Sequence, residues 1–338
     1  MRGYGRRVQR EERGDVEQDG LGLFVATDED KVARDRLTHD AWGAKLSVEQ
    51  YLEREARLRA HPWTRAGMTT WLLREGGAGG AGGAGGRVVA SCESFRSPST
   101  LDGRAGTSFA IASVYTEPSL RGKGYAGVLM RRVAEALARQ PSAHAVTLYS
   151  DVGAALYERA GYVAVPAFDR VLAASAGDPA EGVDALVDEH ELASDVPPGP
   201  AGERFLIWPT GAQLDWHVER ERAYAALLGR PRLVCAGARA GTTWARWCGN
   251  LKSGTLIVLL TGGEEPDGLA RVLRAAARVA HRAELASVSV WETPPLAAAW
   301  PAGVGTRIAR DGSLPMIRCF DAALAPEDFR IVPRALWV

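Results

Sequence analysis

Nothing in this sequence assembles a metal site by spacing. The four cysteines, Cys92, Cys235, Cys248 and Cys319, form no C-x-x-C pair, and the six histidines fall at no ligand spacing from one another or from the cysteines. No metal is expected, and the thiols read as buried and reduced rather than paired in disulfides. Long apolar runs are missing too. No stretch approaches the roughly 20 residues of a membrane span, and residues 1–20 are charged and polar without the apolar core of a leader. A soluble, cytoplasmic protein is the expectation. Charge of one sign is also absent: 41 lysines and arginines balance 41 aspartates and glutamates. That balance gives no bulk attraction to nucleic acid or to an anionic membrane, so the expected partner is a small molecule. Lys123 lacks the surrounding G-x-x-x-x-G-K-S/T pattern, which excludes a nucleotide P-loop.

What is present centres on residues 113–130, where a β-rich run breaks at Pro118, passes through Arg121-Gly-Lys-Gly124 and enters a helix. Gly122 and Gly124 let the backbone turn tightly, and the free amides opening the following helix favour an anion, here a pyrophosphate. Gly122, Gly124 and Gly127 also fit the dinucleotide fingerprint G-x-G-x-x-G, with Asp151 near the spacing of a ribose-binding acid. The context fits that reading poorly. A Rossmann turn places its first glycine almost directly after the strand, whereas residues 116–121 intervene and Pro118 removes a ladder donor. Beyond Gly124, Val128, Leu129, Val133 and Leu137 recur at helical spacing, giving an amphipathic helix that stops at Pro141. A strand at 145–149, a short helix at 151–160 and a strand opening at 161–163 follow.

Arg121, Gly124 and Ala126 meet the pattern Arg/Gln-x-x-Gly-x-Gly/Ala, and Leu156-Tyr157 with Gly161-Tyr162 meet a second signature. Together they resemble the GNAT acetyltransferase superfamily. The resemblance implies a mixed, mostly antiparallel α+β sheet flanked by helices, with acetyl-CoA as acetyl donor. It implies pyrophosphate contacts from Arg121, Gly122, Lys123, Gly124, Tyr125 and Ala126, and backbone pairing of the pantetheine arm by Val114 and Tyr115. Ser150-Asp151 stands where the family carries an asparagine, so Ser150 is the candidate for that cofactor contact. Tyr157 matches the position whose hydroxyl protonates the departing thiolate, a task suited to a phenol that stays protonated at pH 7.

A chain of 338 residues suggests about two domains. Residues 1–19 read as a mobile tail and 20–174 as the acetyltransferase domain. That domain would hold a strand at 21–26, a helix from Asp28 to Trp42, a Ser47/Gln50 capping box opening a helix at 48–60, and strands at 68–74, 87–95 and 107–115. The glycine-alanine repeat at 75–86 reads as a hairpin connection and 97–106 as a loop. Residues 175–203 read as a linker. Residues 204–338 then repeat the order strand, strand, helix, strand, with a helix at 267–282. Their turn at 261–266 places two acids where a phosphate would sit, and like charges would repel it. The expectation is a second, degenerate GNAT-like α+β lobe; an unrelated α+β cap is the alternative.

Several pieces resemble one subgroup, the two-domain fungal lysine N-acetyltransferases: Trp42-Gly43, residues 46–51, Ala90-Ser-Cys-Glu93, Ile111-Ala-Ser-Val114, Leu148-Tyr-Ser-Asp151, Asp215-Trp-His217, Trp244, Trp247 and Trp337-Val338. The subgroup implies a primary amine acceptor, lysine or a related amino acid first. A lysine-type amine is almost wholly protonated at neutral pH, which places the nucleophilic form about 4.6 kcal/mol uphill. Glu93, in a strand of short apolar residues, is the candidate base or ammonium ligand. Trp42 and Tyr51 could wall the acceptor pocket, with His39 of the same standing. His217 could bind or deprotonate an amine from the second lobe. The chain is expected to act as a monomer or homodimer. An amine antibiotic, polyamine or toxin as acceptor, and a CoA-binding regulatory module without turnover, are the competing functions.

Overall fold

A computed structural model describes residues 20–76, 86–263 and 265–338. The expected tail at 1–19 and most of the glycine-rich connection lie outside the described residues. In chain order come β1 (Leu21–Val25), α1 (Asp28–Trp42), α2 (Val48–Ala60), α3 (Pro62–Gly67), β2 (Met68–Glu75), β3 (Val88–Leu101) and β4 (Arg104–Tyr115). Next are α4 (Tyr125–Ala138), β5 (Ala143–Ser150), α5 (Ala155–Glu158), β6 (Val163–Ala164), β7 (Phe168–Ala173), β8 (Ala185–Val187), α6 (Glu189–Ser194) and β9 (Phe205–Ile207). The chain continues through α7 (Gly211–Leu228), β10 (Gly237–Ala240), β11 (Thr243–Asn250), β12 (Thr255–Gly262), α8 (Pro266–Arg282), β13 (Ser287–Trp291), α9 (Pro294–Ala298), β14 (Thr306–Ala309) and β15 (Leu314–Cys319).

These strands form two mixed sheets. The first runs β1-β2-β3-β4-β5-β15-β6, with β9 added beside the far end of β3; the second runs β14-β7-β13-β12-β11-β10-β8. Each holds one parallel pair, β4 with β5 and β12 with β13, crossed by α4 and α8 respectively. All other pairings are antiparallel, so the expected GNAT-like order is present twice. Strand membership nevertheless crosses residue 174: β7 pairs with β13 and β14 in the second sheet, while β9 and β15 pair with β3, β5 and β6 in the first. The two lobes therefore share strands, and residues 175–203 contain a short helix, α6, and also the strand β8.

Local sequence explains most elements. Ser47 and Gln50 form the expected capping box of α2, whereas α1 is capped by Thr27 with Asp30, one residue earlier than Asp28. Val128, Leu129, Val133 and Leu137 of α4 are buried against the first sheet, and Leu269, Val272, Leu273 and Ala276 of α8 against the second. Residues 97–101 are strand, not the expected loop. Ser97, Ser99 and Leu101 face inward by the alternation of a strand, and the Ser99 hydroxyl contacts both His144 (2.9 Å) and Ser108 (2.9 Å). Inward-facing serines carry no apolar signal. The hairpin closes through Asp102 and Gly103, both at positive φ. α3, unforeseen in the sequence, starts with Pro62 after His61, whose ring accepts from the Trp63 amide.

Candidate active site

β4 and β5 separate where the site begins. Their parallel pairing ends at Ile111 and Leu148, yet the outer neighbours continue: β3 pairs as far as Tyr115 and β15 as far as Ser150. A bulge in β4 between Ala112 and Tyr115, opposite Ser91 and Glu93 of β3 and with Ser113 at φ +54, turns the end of β4 aside. Residues 112–115 thus present an unpaired main-chain edge, suited to an amide-bearing arm.

The turn after β4 opens onto the same end of the sheet. Gly122 and Gly124 lie at φ +78 and +84, where glycine alone is unstrained. α4 has no side-chain cap, and the amides of residues 122–127 make no backbone hydrogen bond among the described residues. They are free donors at a helix N-terminus. A Cβ on Gly127 would meet only Arg131 Nη1, at 3.8 Å, so the approach is clear. This arrangement fits a pyrophosphate. Arg121 differs from expectation, since its amide donates to Pro118 O and its Nε to Thr116 O (3.1 Å), which leaves it shaping the loop. Lys123 is exposed. Tyr125 is buried and donates its hydroxyl to Glu75 (2.8 Å), and Ala126 is half-buried on the first turn.

A cavity of about 220 Å³ lies beside the parted strands. The first lobe contributes Arg34, Trp42, Tyr51, Arg54, Arg59, Glu93 and Tyr149, and the second Trp216, Arg220, Tyr224, Lys252 and Trp337. Its volume is below the roughly 300–1,000 Å³ of sites for drug-sized ligands, so it suits a small acceptor. α7 closes it by packing on α2, through Gln50 Nε2 to Leu227 O (3.0 Å), His61 to Asp215 (3.1 Å) and contacts of Arg57 with Glu219 and Arg54 with Tyr224.

Glu93 lines this cavity from mid-strand and is buried. Its Oε1 accepts from Arg34 Nη1 at 2.9 Å, and Arg34 also donates to Ser91 Oγ (3.0 Å) and Ser113 O (2.8 Å). Arg34 thereby ties the carboxylate to the bulge that parts the strands. Behind it Asp35 is buried, pairs with Arg59 at 2.6 Å and has its carboxyl pushed up to about 6 by burial. Trp42 lines the cavity and joins its parts: its ring packs edge-on to Tyr115 (5.8 Å), and the Arg34 guanidinium lies over it. Tyr51 lines the cavity too, with its hydroxyl on Thr38 (3.1 Å); His39 packs behind it and is not among the lining residues.

Tyr157 is buried in the first core, edge-on to Tyr162, and burial pushes its phenol up to about 12. It stays protonated at neutral pH, and it does not line the cavity described above. Val114 packs on the same core. The Ser150 hydroxyl is occupied locally, donating to Gly153 O (2.6 Å) and accepting from the Val152 amide (3.2 Å), so it fixes the turn rather than facing outward. His217 stands apart from the cavity, although its neighbours Trp216 and Arg220 line it. The imidazole is buried, is pushed down to about 3 by burial, and faces Ala335 O at 3.0 Å. A neutral ring meeting a carbonyl must donate from Nε2, which makes this a structural contact.

Sequence reading missed Arg34, Arg59, Arg220 and Lys252. A signal existed for the first: α1 buries Arg34, Asp35 and Thr38 and has no apolar stripe, and a helix that turns polar residues inward needs partners there. No local signal marks Arg220 or Lys252.

Residues 36–162 match the Acetyltransferase (GNAT) family, and residues 184–332 match the LYC1 GNAT-like C-terminal domain. A curated lysine acetyltransferase of Yarrowia lipolytica is 23% identical over 321 residues, covering 76% of this chain and 79% of that one. Among solved structures, a probable N-acyltransferase from Enterococcus faecalis V583 superposes with a TM-score of 0.53 at 10% identity, over 89% of this chain and 73% of that one. A GCN5-related N-acetyltransferase from Kribbella flavida does so with a TM-score of 0.52 at 16% identity, over 89% and 72%. At such identities the structures speak for the fold alone. With a free-amide turn and parted strands in the first lobe, the chain joins an acetyltransferase (GNAT) family domain to a LYC1 GNAT-like C-terminal domain, the two-domain make-up of an N-acetyltransferase.

Proposed function

We propose that this protein transfers acetyl from acetyl-CoA to the primary amine of a small molecule, with lysine or a related amino acid the first choice. The observation that carries this is the continuity of the parted β4 and β5 strands with a cavity of about 220 Å³ that holds Glu93. Acetyl-CoA, when bound, supplies the thioester carbonyl that the amine attacks. The amides of residues 122–127 would hold its pyrophosphate, and the edge at Val114 and Tyr115 its pantetheine arm. Glu93, fixed by Arg34, would draw in the substrate ammonium and take the proton that frees its lone pair for attack, with Trp42 and Tyr51 shaping the space around it. Tyr157 would give its proton to the leaving sulfur. A monomer or homodimer in the cytoplasm is the setting we propose, in keeping with the four free thiols.

The test is CoA release from acetyl-CoA across a panel of amines. At least one amine should raise it well above hydrolysis, and Tyr157→Phe should lower kcat by about 10²–10⁴-fold, the usual worth of a general acid. If acetyl-CoA binds but no amine accelerates release, a regulatory module replaces this reading.

A further inference from the structure

The cations around the cavity fall into two groups. Those from the first lobe are matched by acids: Arg34 with Glu93, Arg59 with Asp35 and Arg54 with Glu55. Those from the second lobe are not. Arg220 has no carboxylate within 4.0 Å among the described residues, and its guanidinium lies over the Trp337 ring, 4.4 Å from the centroid. Among the described residues Lys252 donates only to Trp42 O, at 3.4 Å. Asp151, a further acidic side chain on the cavity wall, is turned to Ser313, accepting from the Ser313 amide (2.7 Å) and hydroxyl (3.2 Å). Burying a cation is costly unless an anion or hydrogen-bond acceptor meets it, and two unmatched cations on one wall raise that cost. Both side chains nevertheless face the space where the acceptor would lie.

We propose that Arg220 and Lys252 bind a carboxylate of the acceptor, so that the acceptor class is an amine that also carries a carboxylate. This rests on the acetyl-transfer reading above and narrows it. An arginine fork and a lysine ammonium together suit a planar, bidentate anion. Glu93 across the cavity meets the opposite charge, so the two walls select a molecule with both an ammonium and a carboxylate and disfavour a diamine, whose second cation would face Arg220. Specificity would thus come from the second lobe, and the chemistry from the first.

The experiment pairs substrates that differ in the carboxylate alone: lysine against cadaverine, and ornithine against putrescine. CoA release gives kcat and KM, and thermal shift gives binding without turnover. Wild-type protein should prefer each amino acid by about 10- to 100-fold in kcat/KM, the worth of a charged hydrogen bond. Arg220→Gln should raise KM for the amino acids by about that factor with kcat little changed, lower KM for the diamines by relieving the repulsion of their second cation, and abolish the thermal shift with lysine. Arg220→Lys should recover part of the loss, and Lys252→Gln should act in the same direction if Arg220→Gln folds poorly. Equal use of lysine and cadaverine, unchanged by either substitution, overturns the carboxylate site while acetyl transfer stands. If no amine is acetylated, acetyl transfer fails; the carboxylate site then stands on a lysine shift lost in Arg220→Gln and falls if no such shift occurs.

Discussion

β4 and β5 part after Ile111 and Leu148 in the first sheet, and β12 and β13 part after Val258 and Val290 in the second. In both, the outer neighbours hold on past the break: β11 pairs with β12 to Gly262 and β7 with β13 to Trp291, as β3 and β15 do in the first lobe. The geometry is the same and the use differs. The gap in the first lobe presents a bare strand edge. In the second, residues 331–336 lie across it, with Ala335 fully buried against Leu259 and Leu260, and with Ile331, Pro333 and Arg334 beside Trp291. His217 and Gln213 of α7 both bond Ala335 O, which pins the plug in place. The turns differ in the same sense. Nine residues, 116–124, connect β4 to α4 and end in free amides, whereas Gly263, just after β12, lies under pressure from β11. A Cβ on Gly263 would sit 2.5 Å from Thr243 Cα, and one on Gly268 would sit 2.5 Å from Thr243 Oγ1. Steric closure thus joins the acidic residues as a reason for the second turn to hold no phosphate. One duplicated frame can bind a donor in one copy and hold the molecule together in the other.

The largest expected effect breaks the open copy. Gly124→Val adds a branched side chain at φ +84, where only glycine sits easily, and displaces amides aimed at the anion. Losing two charge-assisted hydrogen bonds removes about 3–6 kcal/mol of binding, so Kd for CoA should rise at least about 100-fold by calorimetry. Leu336→Ala attacks the plugged copy. Leu336 is buried in the core shared with Trp291 and Ile317, so truncation should cost about 2–5 kcal/mol in denaturant unfolding. If Leu336→Ala cost under 1 kcal/mol, the plug would not be holding the lobe together. Gly263→Ala is the matched control for Gly124→Val. Overpacking against Thr243 should cost about 1–3 kcal/mol of stability and leave the Kd for CoA unchanged within error. A large fall in CoA affinity would mean that the second turn takes part in donor binding.

The contrast also explains what the sequence could show. The turn at Arg121 to Ala126 was legible because its determinants are neighbours: two glycines that must reach positive φ, then a helix whose apolar period fixes where free amides point. α2, α4 and α8 were legible for the same reason. The cavity was not, because its wall joins Arg34, Glu93, Arg220 and Lys252, which are far apart in sequence and meet through the packing of α7 on α2. Strand exchange was equally hidden. β15 owes its place between β5 and β6 to long-range pairing, and residues 314–319 carry nothing that names the sheet they join. His217 shows the converse. A histidine inside a helix near the expected acceptor site can be read as an amine contact or as a satisfied structural residue, and the face it occupies points at the plug and not at the cavity.

The smallest expected effect concerns the acid behind the open copy. Asp35 has its folded value pushed up to about 6 from 3.8 by burial, against the opposing pull of Arg59 and Arg34. Between about pH 4 and pH 6 the folded protein holds the proton that the unfolded chain has released, so this residue's contribution to stability falls as pH rises through that window and is constant above it. The shift corresponds to at most about 3 kcal/mol. Asp35→Asn removes the titration, and its urea unfolding free energy should lose that downward component between pH 4 and pH 6 relative to wild type. Ion-paired acids elsewhere, such as Asp30 and Glu292, have their values lowered and act with the opposite sign in both proteins, so the difference between the two curves isolates Asp35. Parallel curves would place Asp35 in an environment no drier than the surface. The first lobe's matched cations would then owe less to burial than the unmatched pair across the cavity.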